Sequence, residues 1–428
     1  DSSTSRGLGD VYKRQIVNSM RILWFSVTPS LFNPHTNKHN GGGWIASLEQ
    51  IIKTERNVQL GVTFNFPDSR LRYEKEGVVY YPIQYSKRSW IKKRLTNSDE
   101  KEKAEYYLKI IKDFKPDLIQ IFGSENDFGV ICQHTLIPVV IHMQGCIPPY
   151  HNALFPVGMN SFDFVIHRGL SLQRRMIGIR SEPAFHKRAE LEIKTIQSCR
   201  YFMGRTEWDK NLINLFNPNA TYFHCEEALR DSFMNNDKQW SLQESDKVRI
   251  ISVISNPWYK GVDLILKTAQ LLKRFTDLDF EWQVYGVQNI HFYEHKYKIK
   301  AVDVNVTTMG TASKEKLVNA LCSATCYVHP SYIDNSPNSL CEAQVLGVPV
   351  LATHVGGISS LIKDGETGIL FPANAPYTLA ALIKRINIDK KLAFQLSHKA
   401  RKQAIERHNP NAIRERLLEI YEQILDQK

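Results

Sequence analysis

Residues 329–372 read HPSYIDNSPNSLCEAQVLGVPVLATHVGGISSLIKDGETGILFP. The segment just before and into it, CYVHP (326–330), ends a strand, because its β-branched and aromatic residues stop where a polar, turn-forming run begins. Ser336 before Pro337 reads as an N-cap followed by a first helical residue, and Gly347 as the stop, which predicts a helix over 337–346. VPVLAT (348–353) reads as a buried strand, Gly356-Gly357 as a turn, 358–363 as a short helix and GILF (368–371) as a further strand. Strand and helix alternate throughout, so the stretch is a piece of parallel α/β sheet.

Two carboxylates lie eight positions apart here, Asp334 in the loop before the helix and Glu342 on it. Both can face the space beyond the carboxyl ends of the strands, where open α/β sheets bind their ligands and where a helix N-terminus offers unpaired N–H groups to phosphate. The chemistry suits a phosphorylated, hydroxyl-rich ligand: N–H groups at 337–339 for phosphate, including those of Asn338 and Ser339, and carboxylates for sugar hydroxyls.

The stretch resembles the nucleotide-binding signature of the retaining glycosyltransferases of family 4, which have the two-domain GT-B fold and carry two glutamates at this spacing. The run EA…GVPVLAT…GG…DGETGILF is also what that family shows. The resemblance implies two Rossmann-like domains facing a central cleft, a nucleotide-sugar donor such as a UDP- or GDP-sugar, and no metal or cofactor. By position it implies ribose binding by Glu342 and contact with the transferred sugar by Asp334, which is one methylene shorter than the family's glutamate.

Working outward, 428 residues suit two domains of about 200 residues each. Hydrophobic content of 43% and charge of 23% are ordinary for a globular protein. Residues 1–19 show no apolar periodicity and read as a non-native or disordered tail, with Met20 directly before the strand-like RILWFSV. Apolar runs stay short of the roughly 18–20 residues that cross a bilayer, and the start lacks the apolar core of a signal peptide. Seven scattered cysteines form no zinc pattern, which gives the expectation of a reduced, cytoplasmic protein without structural metal.

In the N-terminal half, RILWFSV (21–27) is followed by NGGGWIASLEQIIK, where Gly42 and Gly43 belong to a glycine-rich entry to a helix. This resembles the family's loop facing the donor phosphates, although it is not the GxGxxG fingerprint. PDLIQIFG (116–123) and PVVIHMQG (138–145) read as strands whose ends carry Glu125, His142 and Gln144. Polar groups at strand ends make Glu125 and Gln144 acceptor-side candidates. The resemblance implies a place near the reacting sugar for His142. CRYFMGRTEWDKNLI (199–213) reads as strand, turn and helix with Thr206 as N-cap, and its expected duty is packing between domains.

Five basic residues surround Trp90 and Ile91 between Lys87 and Arg94, and a second basic, apolar-mixed segment runs from Arg168 to Arg180. Such clusters attract an anionic membrane surface at roughly 1 kcal/mol per basic residue. No nucleic-acid-binding module is visible. The sites therefore point to a protein that is cytoplasmic or peripheral on the inner face of the cytoplasmic membrane, with a sugar or lipid-linked acceptor.

The C-terminal half begins after a polar stretch. VRIISVIS (248–255) is a strand and VDLILKTAQLLKRF (262–275) a helix, leaving Lys260 at a strand's carboxyl end, placed to neutralise a departing diphosphate. The family carries an arginine five residues before this lysine; here the position is Ser255. The resulting division is 20–230 for the acceptor side, 231–408 for the donor side, and 409–428 for a last helix that the resemblance implies crosses back. The implied activity is transfer of a sugar to an acceptor hydroxyl with retention, in bacterial surface polysaccharide or glycolipid synthesis. A GT-B sugar-phosphate epimerase or phosphorylase and a non-catalytic partner subunit are the alternatives.

Overall fold

The computed structural model describes residues 19–32, 43–66, 72–83, 98–167, 172–242, 247–255 and 257–427. Gly42, the Lys87–Arg94 cluster, Arg168 and most of the tail lie outside the described residues, as do the side chains of the rest of the Arg168–Arg180 segment.

The first sheet contains β1 (Met20–Ser26), β2 (Val58–Asn65), β3 (Tyr73–Lys75), β4 (Val78–Ile83), β5 (Leu118–Phe122), β6 (Val139–His142), β7 (Tyr201–Gly204) and β8 (Thr221–His224). Their order is β3-β4-β2-β1-β5-β6-β7-β8, parallel except for the β3–β4 hairpin. The second sheet contains β9 (Val248–Val253), β10 (Phe280–Tyr285), β11 (Val306–Gly310), β12 (Cys326–His329), β13 (Val350–Thr353) and β14 (Ile369–Phe371). It runs β11-β10-β9-β12-β13-β14, parallel throughout. Helices cover both faces of each sheet, which is why strands such as β5 (LIQIF) are buried along their whole length instead of alternating. These are two Rossmann-like domains.

Topology then locates the clefts. In the first sheet the strand order reverses between β1 and β5, and in the second between β9 and β12. Beyond the carboxyl ends of such a pair the connections diverge to opposite sides and leave a crevice. The segments leaving β9 and β12 carry Lys260 and Asp334; the segment leaving β5 carries Glu125.

The last helix, Pro410–Asp426, lies against the first sheet although it follows the second in the chain. Its apolar positions Ile413, Leu417, Ile420, Tyr421 and Ile424 recur at helical spacing and join a core with Trp24, Trp44 and Leu48. Tyr421 donates its hydroxyl to Gln120 and accepts from Trp24 Nε1 at 3.1 Å, so the helix is held by polar as well as apolar contacts.

Local boundaries follow the residue pattern with small shifts. The helix expected over 337–346 runs Asn338–Leu346, and Gly347 ends it in the left-handed conformation at φ 84°. Ser336 does not cap it, because its hydroxyl donates instead to Glu227 Oε1 at 2.7 Å. Thr206 does cap the Glu207–Phe216 helix, accepting from Asp209 N. The expectation of thiols alone is corrected at one pair: Cys132 and Cys199 form a disulfide with Cα atoms 5.6 Å apart. They stand in adjoining elements 67 residues apart in sequence, a separation that gives no spacing signal. Among the described residues no helix is long and apolar enough to cross a membrane.

Candidate active site in the cleft between the sheets

The wall formed by the second sheet begins where β9 and β12 end. Gly261, with φ 80°, lets the chain turn against Pro330, whose carbonyl oxygen a Cβ at 261 would overlap. That contact brings Lys260 Nζ to 2.5 Å from Asp334 Oδ2. Gly356, with φ 53°, packs on the Asp334 carbonyl, which also accepts from Gly357 N at 2.9 Å, so the Asp334 backbone is clamped from the opposite side. His329, at the end of β12, donates Nε2–H to the same carboxylate at 3.0 Å. Burial alone would raise the Asp334 pKa, but Lys260 and His329 outweigh it and hold the carboxyl well below the usual range.

The helix after this loop presents backbone donors at its N-terminus. Pro337 has no N–H, so the expected run of amides at 337–339 reduces to those of Asn338 and Ser339, the first two residues of the helix. The Ser339 hydroxyl is engaged otherwise: it donates to Val253 O at 3.1 Å and accepts from Tyr327 at 2.9 Å, tying the helix to the end of β9. Glu342, 2% exposed, lies one turn further on and is gripped by Arg230, whose Nε and Nη2 each donate to a different carboxylate oxygen at 2.6 Å. Burial raises the Glu342 pKa and the guanidinium opposes the rise.

The wall formed by the first sheet departs further from expectation. His142 ends β6 but is wholly buried, packed edge-on to Trp44 and stacked on Phe122, with ring centroids 5.0 and 5.9 Å away. Burial and nearby Arg205 hold it well below the ordinary histidine pKa, hence neutral. In this structure His142 is closed off from solvent within that aromatic packing. Gln144 contributes its backbone carbonyl, which accepts from Asn335 Nδ2 of the other domain at 3.1 Å. Gly43 faces Arg230: a Cβ there would stand 3.0 Å from Arg230 Cδ and 3.1 Å from Cγ.

Glu125 lies between Gly123 and Gly145, where side chains would overlap its carboxylate, and accepts from Gly145 N–H. Beside it is a carboxyl that sequence reasoning missed. Glu192, 3% exposed, accepts from Ser124 Oγ at 2.5 Å and Ile147 N at 2.6 Å. Burial and the neighbouring Glu125 push its pKa up to about 8, and burial raises that of Glu125 as well, so near neutral pH the pair holds a proton. Tyr150 was also missed. Its ring stacks 5.3 Å from Tyr259, the neighbour of Lys260, and 6.1 Å from Trp208, and its hydroxyl accepts from Asn335 N–H.

Asn335 fastens the two walls together. Its side chain accepts from Thr206 Oγ1 at 2.6 Å and donates to Asp209 and to Gln144 O, both at 3.1 Å. The GRTEWD element thus makes inter-domain contacts. Nearby, Glu227, Cys341 and His408 place potential ligand atoms within 4.8 Å of one another. The donor set does not fit a metal centre, because Glu227 Oε1 already accepts from Ser336 and Cys341, and Oε2 faces the Arg205 guanidinium at 3.2 Å. The cluster is a polar lock beneath the Asn338–Leu346 helix.

Comparison with known proteins agrees with this geometry. The profile of the glycosyl transferases group 1 matches residues 234–403, the domain that carries Lys260, Asp334 and Glu342. A D-inositol 3-phosphate glycosyltransferase of Arthrobacter sp. (strain FB24) is 35% identical over 115 residues, 26% of this chain and 27% of that protein. The match thus spans about a quarter of that relative's length. In fold, sucrose-phosphate synthase from Thermosynechococcus elongatus is similar with a TM-score of 0.69 at 15% identity, over 96% of this chain and all of that one. Anabaena Alr3699/HepE in complex with UDP-glucose has a TM-score of 0.64 at 13% identity, over 94% of this chain and all of that one. The described residues have the GT-B fold, and the match to the group 1 profile lies within its second half.

The Glu192 environment makes a testable demand on stability. The folded state holds a proton that the unfolded chain releases between its ordinary carboxyl range and pH 8, so stability falls as pH rises through that window, by at most ~1.4 kcal/mol per unit. Glu192→Gln is expected to flatten this slope in denaturant melts at pH 5, 6, 7 and 8. A variant whose slope matches the wild type would show that the site does not hold the proton.

Proposed function

We propose that the chain is a retaining glycosyltransferase of the family 4 type, moving a sugar from a nucleoside diphosphate sugar to an acceptor hydroxyl. The observation that carries this reading is the placement of Lys260, Asp334, Glu342 and the amides of Asn338 and Ser339 around one topological switch point. Ribose hydroxyls would donate to Glu342, and the diphosphate would lie over the two helix amides beside Lys260. Hydroxyls of the transferred sugar would meet Asp334, whose low pKa keeps it an acceptor at neutral pH.

In the step itself the bond from the sugar C1 to the leaving phosphate oxygen breaks as the acceptor oxygen bonds to C1 from the same face. The acceptor proton passes to the leaving phosphate. Charge grows on the diphosphate, and Lys260 with the preorganised amides is placed to stabilise it. Glu125 and Tyr150 would border the acceptor side, with His142 packed in the core beside them. UDP-glucose, held by the Anabaena protein, is a first donor to try.

The acceptor we propose belongs to bacterial surface polysaccharide or glycolipid synthesis, presented at an anionic membrane surface. Phe162 and Ile166, 67% and 52% exposed on the Ser161–His167 helix, lead directly into the basic Arg168–Arg180 segment. Such a surface would draw the protein onto vesicles rich in anionic lipid and release it at high salt. Sedimentation that is equal with neutral vesicles contradicts the membrane part alone.

For the donor, calorimetry on the full chain with UDP-, GDP- and ADP-sugars is expected to find one series that binds. Lys260→Ala should weaken it by at least about tenfold, the loss of a charge-assisted contact. Asp334→Asn should keep nucleotide binding and lose turnover. Failure of every series at millimolar concentration would overturn the transferase reading and favour a non-catalytic partner subunit.

A further inference from the structure

Position 255, two residues beyond β9, holds a serine where the resemblance implies a cation for the diphosphate, and Lys260 stands on the same connection. We infer that Arg230, on the segment joining the two sheets, is the second cation of the diphosphate site, an assignment that rests on the donor reading above.

Three observations converge on it. Arg230 meets Glu342, the carboxylate in the ribose position, through Nε and Nη2. A carboxylate has about four lone-pair sites, so this fork leaves acceptor capacity for two ribose hydroxyls without displacing the arginine. The guanidinium's other edge, with Nη1, makes no bond to the described residues. The exposures divide in the same sense: the Arg230 side chain is 28% exposed and that of Glu342 3%, so a ligand reaching the pair meets the cation.

Gly43 supplies the third observation. The stem of Arg230 lies against the N-terminus of the Gly43–Ile52 helix so closely that a Cβ at 43 would sit 3.0 Å from Arg230 Cδ. Phe233 backs the guanidinium from below, 4.5 Å from its ring centre. Arg230 is thereby steered toward the cleft between Glu342 and the glycine-rich entry. In a nucleoside diphosphate the α-phosphate is joined to the ribose through the 5′-oxygen. A planar, permanently charged group anchored on the ribose carboxylate therefore borders the phosphate chain, on the side away from the helix amides. The site would take a nucleoside diphosphate with Lys260 and Arg230 as its two cations.

The test separates phosphate contact from support of Glu342. Binding of the nucleoside diphosphate that wild type selects among UDP, GDP and ADP is measured by calorimetry, beside its parent nucleoside, for wild type and Arg230→Gln. Contact with the diphosphate predicts at least about tenfold loss for the diphosphate and less than about threefold for the nucleoside. Equal losses for both ligands would overturn the assignment, leaving Arg230 a partner of Glu342 only and the donor reading intact. If Arg230→Gln fails to fold around the unpaired Glu342, the double variant Arg230→Gln, Glu342→Gln removes the buried charge with it. The ratio of diphosphate to nucleoside affinity should then fall by the same factor. Wild type that binds neither ligand would remove the donor reading and this assignment together.

Discussion

An ammonium and a carboxylate face each other at 2.5 Å in the second sheet's crevice, both almost out of water. Either charge alone would be expensive there, and the pair is tolerable because His329 adds a donor and because the backbone of each partner is fixed by a glycine turn. Removing Gly261 or Gly356 would push the loops apart and leave Asp334 buried without its cation. The requirement for this contact explains why the strands β9 and β12 end where they do, and why the loops after them pack on one another.

The second constraint is that the other domain must reach this loop. Asn335, the residue after Asp334, is bonded to Thr206, Asp209 and Gln144, so the position of the carboxylate depends on both sheets. Tyr150 adds stacking on Tyr259, and the Pro410–Asp426 helix, which follows the second sheet in the chain, packs on the first. The Lys260–Asp334 pair itself is built within the second domain, and the neighbouring Asn335 ties the loop that carries it to the first.

Much of the second domain was legible because its signals are local. Strand, Pro-entry, Gly-stop and Gly-Gly turn follow each other within residues 326–372, and the elements lie within one or two residues of their expected limits. Thr206 was read as a cap correctly for the same reason. Ser336 was not, because a glutamate 109 residues away claims its hydroxyl. Arg230, Glu192 and the Cys132–Cys199 pair were invisible on similar grounds, their partners standing 112, 68 and 67 residues off. His142 shows a different limit: its place at a strand end could be read, but its burial depends on Trp44 arriving from another helix. His329 could have been found, since a histidine closing the strand before Asp334 has one obvious acid within reach.

The most direct measurement is a crystal structure of the full chain with a bound nucleoside diphosphate. The account predicts phosphate oxygens within hydrogen-bond distance of Lys260 Nζ and of the Asn338 and Ser339 amides, with the ribose hydroxyls on Glu342. A nucleotide seated elsewhere, with the Lys260–Asp334 pair untouched by phosphate, would contradict it.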